Sequence, residues 1–299
     1  MSKRILAVYY SQSGQLKEIL DNFLLPFEKS DHQIEILKVE PVNDFPFPWT
    51  SKKFFDAMPE SVLVKPSELK PFELKSDKYE LIIVAYQPWF LSPSIPVNSI
   101  LQHPDFINLI ENTAVITLIG ARNMWLNSQE KVKKLITKEG GQLVGNIVLV
   151  DKHNNLASAV SILHWMLGGK KDRYLGIFPV PGVSEKDIRD SSVFGQVALE
   201  HFNTDNLPGL QKEIISCGGV EVKANLMFIE GRAGKLFSIW AKFISNRKNR
   251  TFWLIIFKYY LLFALFIVAP VVLLINNTLF KPFLGKSVQK KKEYYLGVG

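Results

Sequence analysis

Cysteine is almost missing from this chain: Cys217 stands alone among 299 residues, so no internal disulfide can form and stability must come from a packed core. Histidine is scarce, and none of His32, His103, His153, His164 and His201 sits at a metal-ligand spacing from another His, Cys or acid, so no metal site is expected. Neither a nucleophile-elbow glycine pattern nor a Ser-His-Asp set is present, which leaves hydrolase chemistry without a basis. The opening Met-Ser-Lys-Arg-Ile-Leu-Ala-Val-Tyr-Tyr has too short an apolar run before Ser11 for a signal peptide, which predicts a body folded in the cytosol. Acids are nearly lacking from one end only. From Gly231 onward twelve Lys or Arg face a single acid, Glu293, whereas residues 1–230 carry 24 bases and 27 acids. The net charge of +8 therefore belongs to the tail. Cations bracketing an apolar stretch suit an anionic lipid surface better than a nucleic acid, which is not expected as a partner.

Apolar residues are plentiful, at 47 %, and fall in alternating strand and helix patterns. Residues 5–10 form a β-rich run that stops at Ser11-Gln12-Ser13-Gly14-Gln15, after which Leu16, Ile19, Leu20, Phe23 and Leu24 recur at helical spacing. Residues 33–39 alternate as a second strand, and 80–85, 113–119 and 142–150 are continuous apolar runs suited to strands covered on both faces. Residues 128–139 read as a helix, and Ser184 to Asp187 has the spacing of a helix-starting box. Five strands alternating with helices predict an α/β fold with a doubly wound, five-stranded parallel sheet over residues 1–205. Two excursions interrupt it: the Pro- and Phe-rich, partly helical 41–71, and 151–190, whose stretch 156–167 is apolar on almost every face and must be buried or meet lipid.

Beyond the body, 206–250 reads as a basic linker region, 251–276 as a transmembrane or interfacial helix, and 277–299 as a basic tail. Residues 252–275 hold one charge, Lys258, and are long enough to cross a hydrocarbon core of about 30 Å. Six bases precede this stretch and five follow it, so loop charge fixes no orientation. A single span is the leading expectation. Pro270 and Lys258 also suit a kinked interfacial helix with both ends in the cytosol.

A loop between the first strand and first helix of such a sheet aims main-chain N–H groups at one spot, where the helix dipole favours an anion. Ser11, Gln12, Ser13, Gly14 and Gln15 occupy that place without a Lys or Arg. The loop lacks the lysine of a triphosphate loop and the three-glycine spacing of a dinucleotide loop, so a neutral nest for an FMN monophosphate is the better fit.

The run Ala-Val-Tyr-Tyr-Ser-Gln-Ser-Gly-Gln resembles the phosphate loop of flavodoxin-like proteins, and the order of elements agrees over residues 1 to about 205. The resemblance implies a sheet of order 2-1-3-4-5, FMN at this loop, and two further ring-binding loops. Here those are the loops holding Tyr86, Gln87, Pro88 and Trp89, and Gly120, Arg122 and Asn123. Tyr86, Trp89 and Trp125 would stack on the ring, while Gln87, Arg122 and Asn123 would bond its polar edge. More narrowly, the opening Tyr-Tyr-Ser-Gln-Ser-Gly-Gln-Leu, the length and the apolar C-terminal part are similar to a bacterial family known as dialkylresorcinol condensing enzymes, linked to flexirubin-type pigments. Claisen condensation needs an activated acyl-carrying Cys, which Ser-Cys217-Gly-Gly does not provide. The resemblance then implies oxidation or aromatisation of a cyclised alkyl-dione by a membrane-associated FMN oxidoreductase. The expected partners are a lipid-like or aromatic substrate, NAD(P)H as reductant, anionic lipid at the cytosolic face of the cytoplasmic membrane, and other enzymes of the pathway. Two alternatives stand beside it: a flavodoxin-type electron carrier or NAD(P)H-quinone reductase, and a flavin-free, membrane-anchored scaffold.

Overall fold

The structure, a computed structural model, describes residues 2–275 and 285–299. Five parallel strands, β1 (Arg4–Tyr9), β2 (Gln33–Lys38), β3 (Leu81–Tyr86), β4 (Ala114–Ala121) and β5 (Gln142–Val150), form one sheet of order β2-β1-β3-β4-β5. This is the doubly wound order of flavodoxin-like sheets. Every residue of β3 is buried, which is why its sequence is apolar without alternation. At the edge, β2 buries only Leu37 and leaves Ile36 exposed.

Helices cover both faces, and β4 shows which side each takes. A Cβ at Gly120 would meet Leu16 and Ile19 of α1 (Gln15–Glu28), whereas Thr117 points the other way, accepting from Gln129 Nε2 (2.9 Å) of α6 (Leu126–Lys138). Beside α1 lies α8 (Glu185–Asn203), started by Ser184, whose hydroxyl accepts from the Asp187 N–H. The 41–71 excursion holds two short helices, α2 (Ser51–Asp56) and α3 (Met58–Val62), and the short α4 (Ile95–Ile100) and α5 (Pro104–Ile110) precede β4. The apolar 156–167 stretch lies in α7 (Asn155–Gly168), which ends at Gly169 in the left-handed conformation.

A row of buried polar groups runs through the core. The Tyr86 hydroxyl donates to Gln129 (2.8 Å), Gln129 to Thr117, and Thr117 to Asn146 (3.0 Å). On the outer edge of β5 the N–H groups of Asn146 and Val148 are taken by Gln211 (2.7 Å) and the Gly219 carbonyl (2.7 Å), so this edge is closed to foreign strands.

Residues 206–250, expected as a linker, are instead structured. α9 (Leu210–Ser216) packs on β5, and α10 (Ala224–Ser245) packs on α3 and α6. Exposed bases hid an amphipathic helix whose Phe237, Ala241 and Ile244 join Phe55, Met58, Leu254 and Phe257 in a second apolar cluster. The apolar segment is one continuous helix: α11 (Arg250–Phe263), a π-helical stretch at Ala264–Val268, and α12 (Ala269–Ile275). Pro270 has no N–H to give to the carbonyl four residues before it, and the Ala269 N–H bonds Ala264 O instead, widening the turn ahead of the ring. By length and composition, Arg250–Leu274 is long enough to cross a membrane. Residue 276 of the expected helix and 277–284 of the expected tail lie outside the described residues; α13 (Gly285–Leu296) is helical and returns to the body.

Candidate functional site

The carboxyl ends of β1, β3 and β4 open into a cavity of about 510 Å³, where ligands bind in doubly wound sheets. Its floor is made by the three loops singled out in the sequence. Gln12, Ser13 and Gln15 come from the first, Gln87 to Leu91 from the second, and Gly120 to Met124 from the third.

The first loop turns at Gly14, whose φ of 90° is glycine territory, and α1 begins there with no side-chain cap. Ser11 Oγ accepts the Lys17 N–H (3.3 Å) and Gly14 O accepts the Glu18 N–H (3.2 Å), which leaves the Gln15 and Leu16 amides facing out of the helix end. The two glutamines have other work. Gln12 donates to Pro46 O (3.0 Å) and accepts from Trp49 Nε1 (2.8 Å), fastening the 41–71 excursion over the loop; Gln15 exchanges both its amide bonds with the Val183 backbone.

In the second loop Trp89 lines the cavity and packs edge-on to Tyr10, Phe45 and Trp49. Tyr86, expected as a ring partner, is instead the last residue of β3, fully buried in the polar row and absent from the cavity wall. Gln87 is the group of greatest interest. Both amide atoms are buried without a partner among the described residues while the side chain lines the cavity, an arrangement that asks for a ligand offering both a donor and an acceptor. Phe90 and Leu91 carry positive φ (47° and 59°) between the two short bridging segments Pro88–Trp89 and Ser92–Pro93. Bulky residues hold that conformation at a cost of about 1–2 kcal/mol each, and both side chains line the cavity.

In the third loop the Arg122 guanidinium donates to Asn155 O (2.9 Å) and Asn155 Oδ1 (3.1 Å). Burial pushes its pKa down to about 10, opposed by Asp151, so it stays cationic at neutral pH. Asn123 also donates to Asn155 Oδ1 and keeps a buried, unpaired Oδ1. Trp125 does not reach the cavity.

The far wall was not anticipated. It is built by Ile162, Leu163 and Met166 of α7, Ile229, Leu236 and Phe237 of α10, and Leu265, Val268 and Val272 of the apolar helix. One end of the cavity is thus polar and the other mostly apolar, with Arg232 of α10 as its one charged member, a division that suits an amphiphile.

Glu230 of α10 holds the third loop in place. Its Oε1 accepts the Asn127 N–H (2.8 Å), capping α6 where Trp125 offers no cap, and Asn127 Nδ2 donates back to Glu230 O (2.8 Å). Burial pushes the carboxyl up to about 7, against the pull of the α6 amides. The unfolded chain releases this proton near the ordinary 4.5, so folding takes up a proton between the two values. Stability from this group is then fully present below pH 4.5 and declines by up to about 3 kcal/mol as pH rises to 7. Melting temperatures of wild type and Glu230→Gln between pH 4.5 and 7.5 should diverge, the variant falling less; parallel curves would show that Glu230 is ionised in the fold.

No protein-family model matches the sequence, and no curated protein matches it. Among solved structures, a flavoprotein from Lactobacillus acidophilus crystallised with FMN aligns at 17 % identity and a TM-score of 0.40, covering 49 % of this chain and 93 % of that one. A Bacteroides eggerthii protein described as a flavoprotein aligns at 14 % and 0.38, over 56 % and 100 %. The Trp repressor binding protein of Bacillus subtilis aligns at 12 % and 0.31, over 56 % and 99 %. The fold class rests on the strand order and the helices on both faces described above.

Proposed function

We propose that this protein is an FMN-dependent oxidoreductase whose substrate is an apolar, lipid-like aromatic compound. The observation that carries the reading is Gln87, an amide with both atoms buried and unpaired among the described residues, facing a crevice at whose other side α1 begins at Gly14 with its first amides turned outward. A phosphate monoester suits the Gln15 and Leu16 amides and the Ser13 hydroxyl, with no lysine present to select a triphosphate. The Gln87 and Asn123 amides suit the pyrimidine edge of an isoalloxazine, and Trp89 offers an aromatic face. When bound there, FMN supplies two-electron hydride chemistry. The protein's own part is to keep Arg122 charged beside the ring site, to hold the third loop through Asn155 and Glu230, and to exclude water with the apolar wall.

That wall favours an enzyme over a carrier, because α7, α10 and the apolar helix stand where a docking protein would need an exposed flavin edge. The apolar helix and its basic flanks support a membrane-associated reading. The alkyl-dione that the sequence resemblance implies, aromatised to a dialkylresorcinol, is the first substrate to assay. The visible spectrum of detergent-purified protein, with the released chromophore identified, tests the cofactor. Stoichiometric FMN is expected, and Gln87→Leu should weaken its binding about tenfold. A colourless protein that takes up no added FMN overturns the reading and leaves a flavin-free scaffold.

A further inference from the structure

The chain on both sides of the apolar helix is held by the same body. Before it, α10 is docked on α3 and α6. After it, α13 places Val288, Tyr295 and Leu296 against the main core; the Tyr294 hydroxyl donates to Glu130 (2.9 Å) and Leu296 O accepts from Gln211 (2.6 Å). A helix crossing a bilayer would put about 30 Å of hydrocarbon between its two flanks, which would undo these contacts. Nor does the helix stand away from the body. Leu254 and Phe257 are buried in the second cluster, and Leu265, Val268 and Val272 line the cavity.

The opposite side is exposed to solvent. Phe252, Ile255, Tyr259, Phe263, Ile267 and Leu274 are exposed and recur at intervals of three, four or seven, so they form one stripe along a helix about 36 Å long. Ile239 on α10, the helix that precedes it, is exposed as well, at 64 %. The chain that leads into the stripe carries charge of one sign: Lys235, Lys242, Arg247 and Lys248 are exposed, no acid occurs between residues 231 and 275, and the acids beside the start of the helix, Asp56 and Glu60, are paired with Arg250. This pattern repels a second copy of itself and attracts phospholipid headgroups.

We infer that the helix Arg250–Ile275 lies in the plane of one anionic leaflet rather than crossing the bilayer. Its exposed stripe sits among the upper acyl chains, the surrounding bases sit at the headgroups, and both flanks stay on the side of the body. The same helix is the wall between lipid and cavity, so the two are about one helix diameter, ~10 Å, apart. On the functional reading above, the long-chain substrate then enters from the leaflet and not through water. The orientation itself does not depend on that reading.

Cysteine labelling of the full-length protein tests this without reference to flavin. In membranes of an expressing bacterium, Cys217, exposed on the body, is compared with Lys290→Cys in a Cys217→Ser background. An impermeant maleimide should label both in inverted vesicles and neither in intact spheroplasts; labelling from opposite sides overturns the inference. A fluorophore at Phe252→Cys, Tyr259→Cys or Leu274→Cys should be quenched equally by headgroup-labelled lipid, whereas a minimum at the middle position means a span. Protein that fails to bind phosphatidylcholine vesicles containing phosphatidylglycerol also overturns it. Lys235→Gln with Lys242→Gln should weaken that binding by about tenfold or more.

Discussion

Replacing Gly195 with alanine is expected to destabilise the folded body by about 3 kcal/mol or more. A Cβ at this position in α8 would stand 1.9 Å from the Phe23 carbonyl oxygen, 2.9 Å from its carbon and 3.3 Å from Pro26 Cδ. Two of these atoms are backbone, so no rotamer change relieves the clash, and α1 and α8 must move apart. The separation loosens a helix whose Leu16, Ile19, Leu20, Phe23, Leu24 and Phe27 are all buried, and gaps of about 1 Å already forfeit a large part of the dispersion attraction. Gly231→Ala is the matched control: it lies in α10 with nothing within 4 Å of its Cβ position, and alanine there should stabilise by up to about 1 kcal/mol. Thermal unfolding followed by tryptophan fluorescence should show opposite shifts for the two variants. A Gly195→Ala protein that melts with wild type would mean the helices are not in contact here.

Gly14→Val is expected to lower FMN affinity by about a hundredfold or more while leaving the fold intact. Nothing lies within 4 Å of a Cβ at Gly14, so the obstacle is conformational and not steric crowding. A φ of 90° costs a non-glycine residue at least about 1–2 kcal/mol, and a β-branched one more. The turn relaxes to negative φ, the Gln15 and Leu16 amides cease to converge, and hydrogen bonds to a charged phosphate, worth about 1.5–3 kcal/mol each, are lost. Ser13→Ala, which removes one hydroxyl and keeps the turn, should lose about tenfold. Titrating the apoproteins with FMN and following flavin fluorescence checks both. Wild-type affinity in Gly14→Val would remove the phosphate from this loop and with it the functional reading.

The sheet was readable because its physics is local. Strands covered on both faces must be continuously apolar, and residues 142–150 were bounded as the structure has them, with 80–85 displaced by one residue. That single residue decides the fate of Tyr86: one position later than expected, the strand keeps it in the core and hands the cavity to Gln87. The site loops were readable from their place after β1, β3 and β4. The partners of their side chains were not, since Gln15 answers to Val183, 168 residues away, and Gln12 to Trp49. The apolar wall escaped notice because three separate segments assemble it. α10 did carry a signal, in Ile229, Ala233, Phe237, Ala241 and Ile244 at intervals of three and four, but its bases suggested a linker.

The polar row through the sheet ends outside the sheet, and this sets an order of events during synthesis. Gln211, which closes the edge at Asn146, is made 65 residues after it, and Leu296, the partner of Gln211, follows 85 residues later still. Between those two moments the ribosome delivers the whole of the apolar helix. The body therefore cannot complete this row until that helix has emerged, and until then its outermost strand is only provisionally guarded.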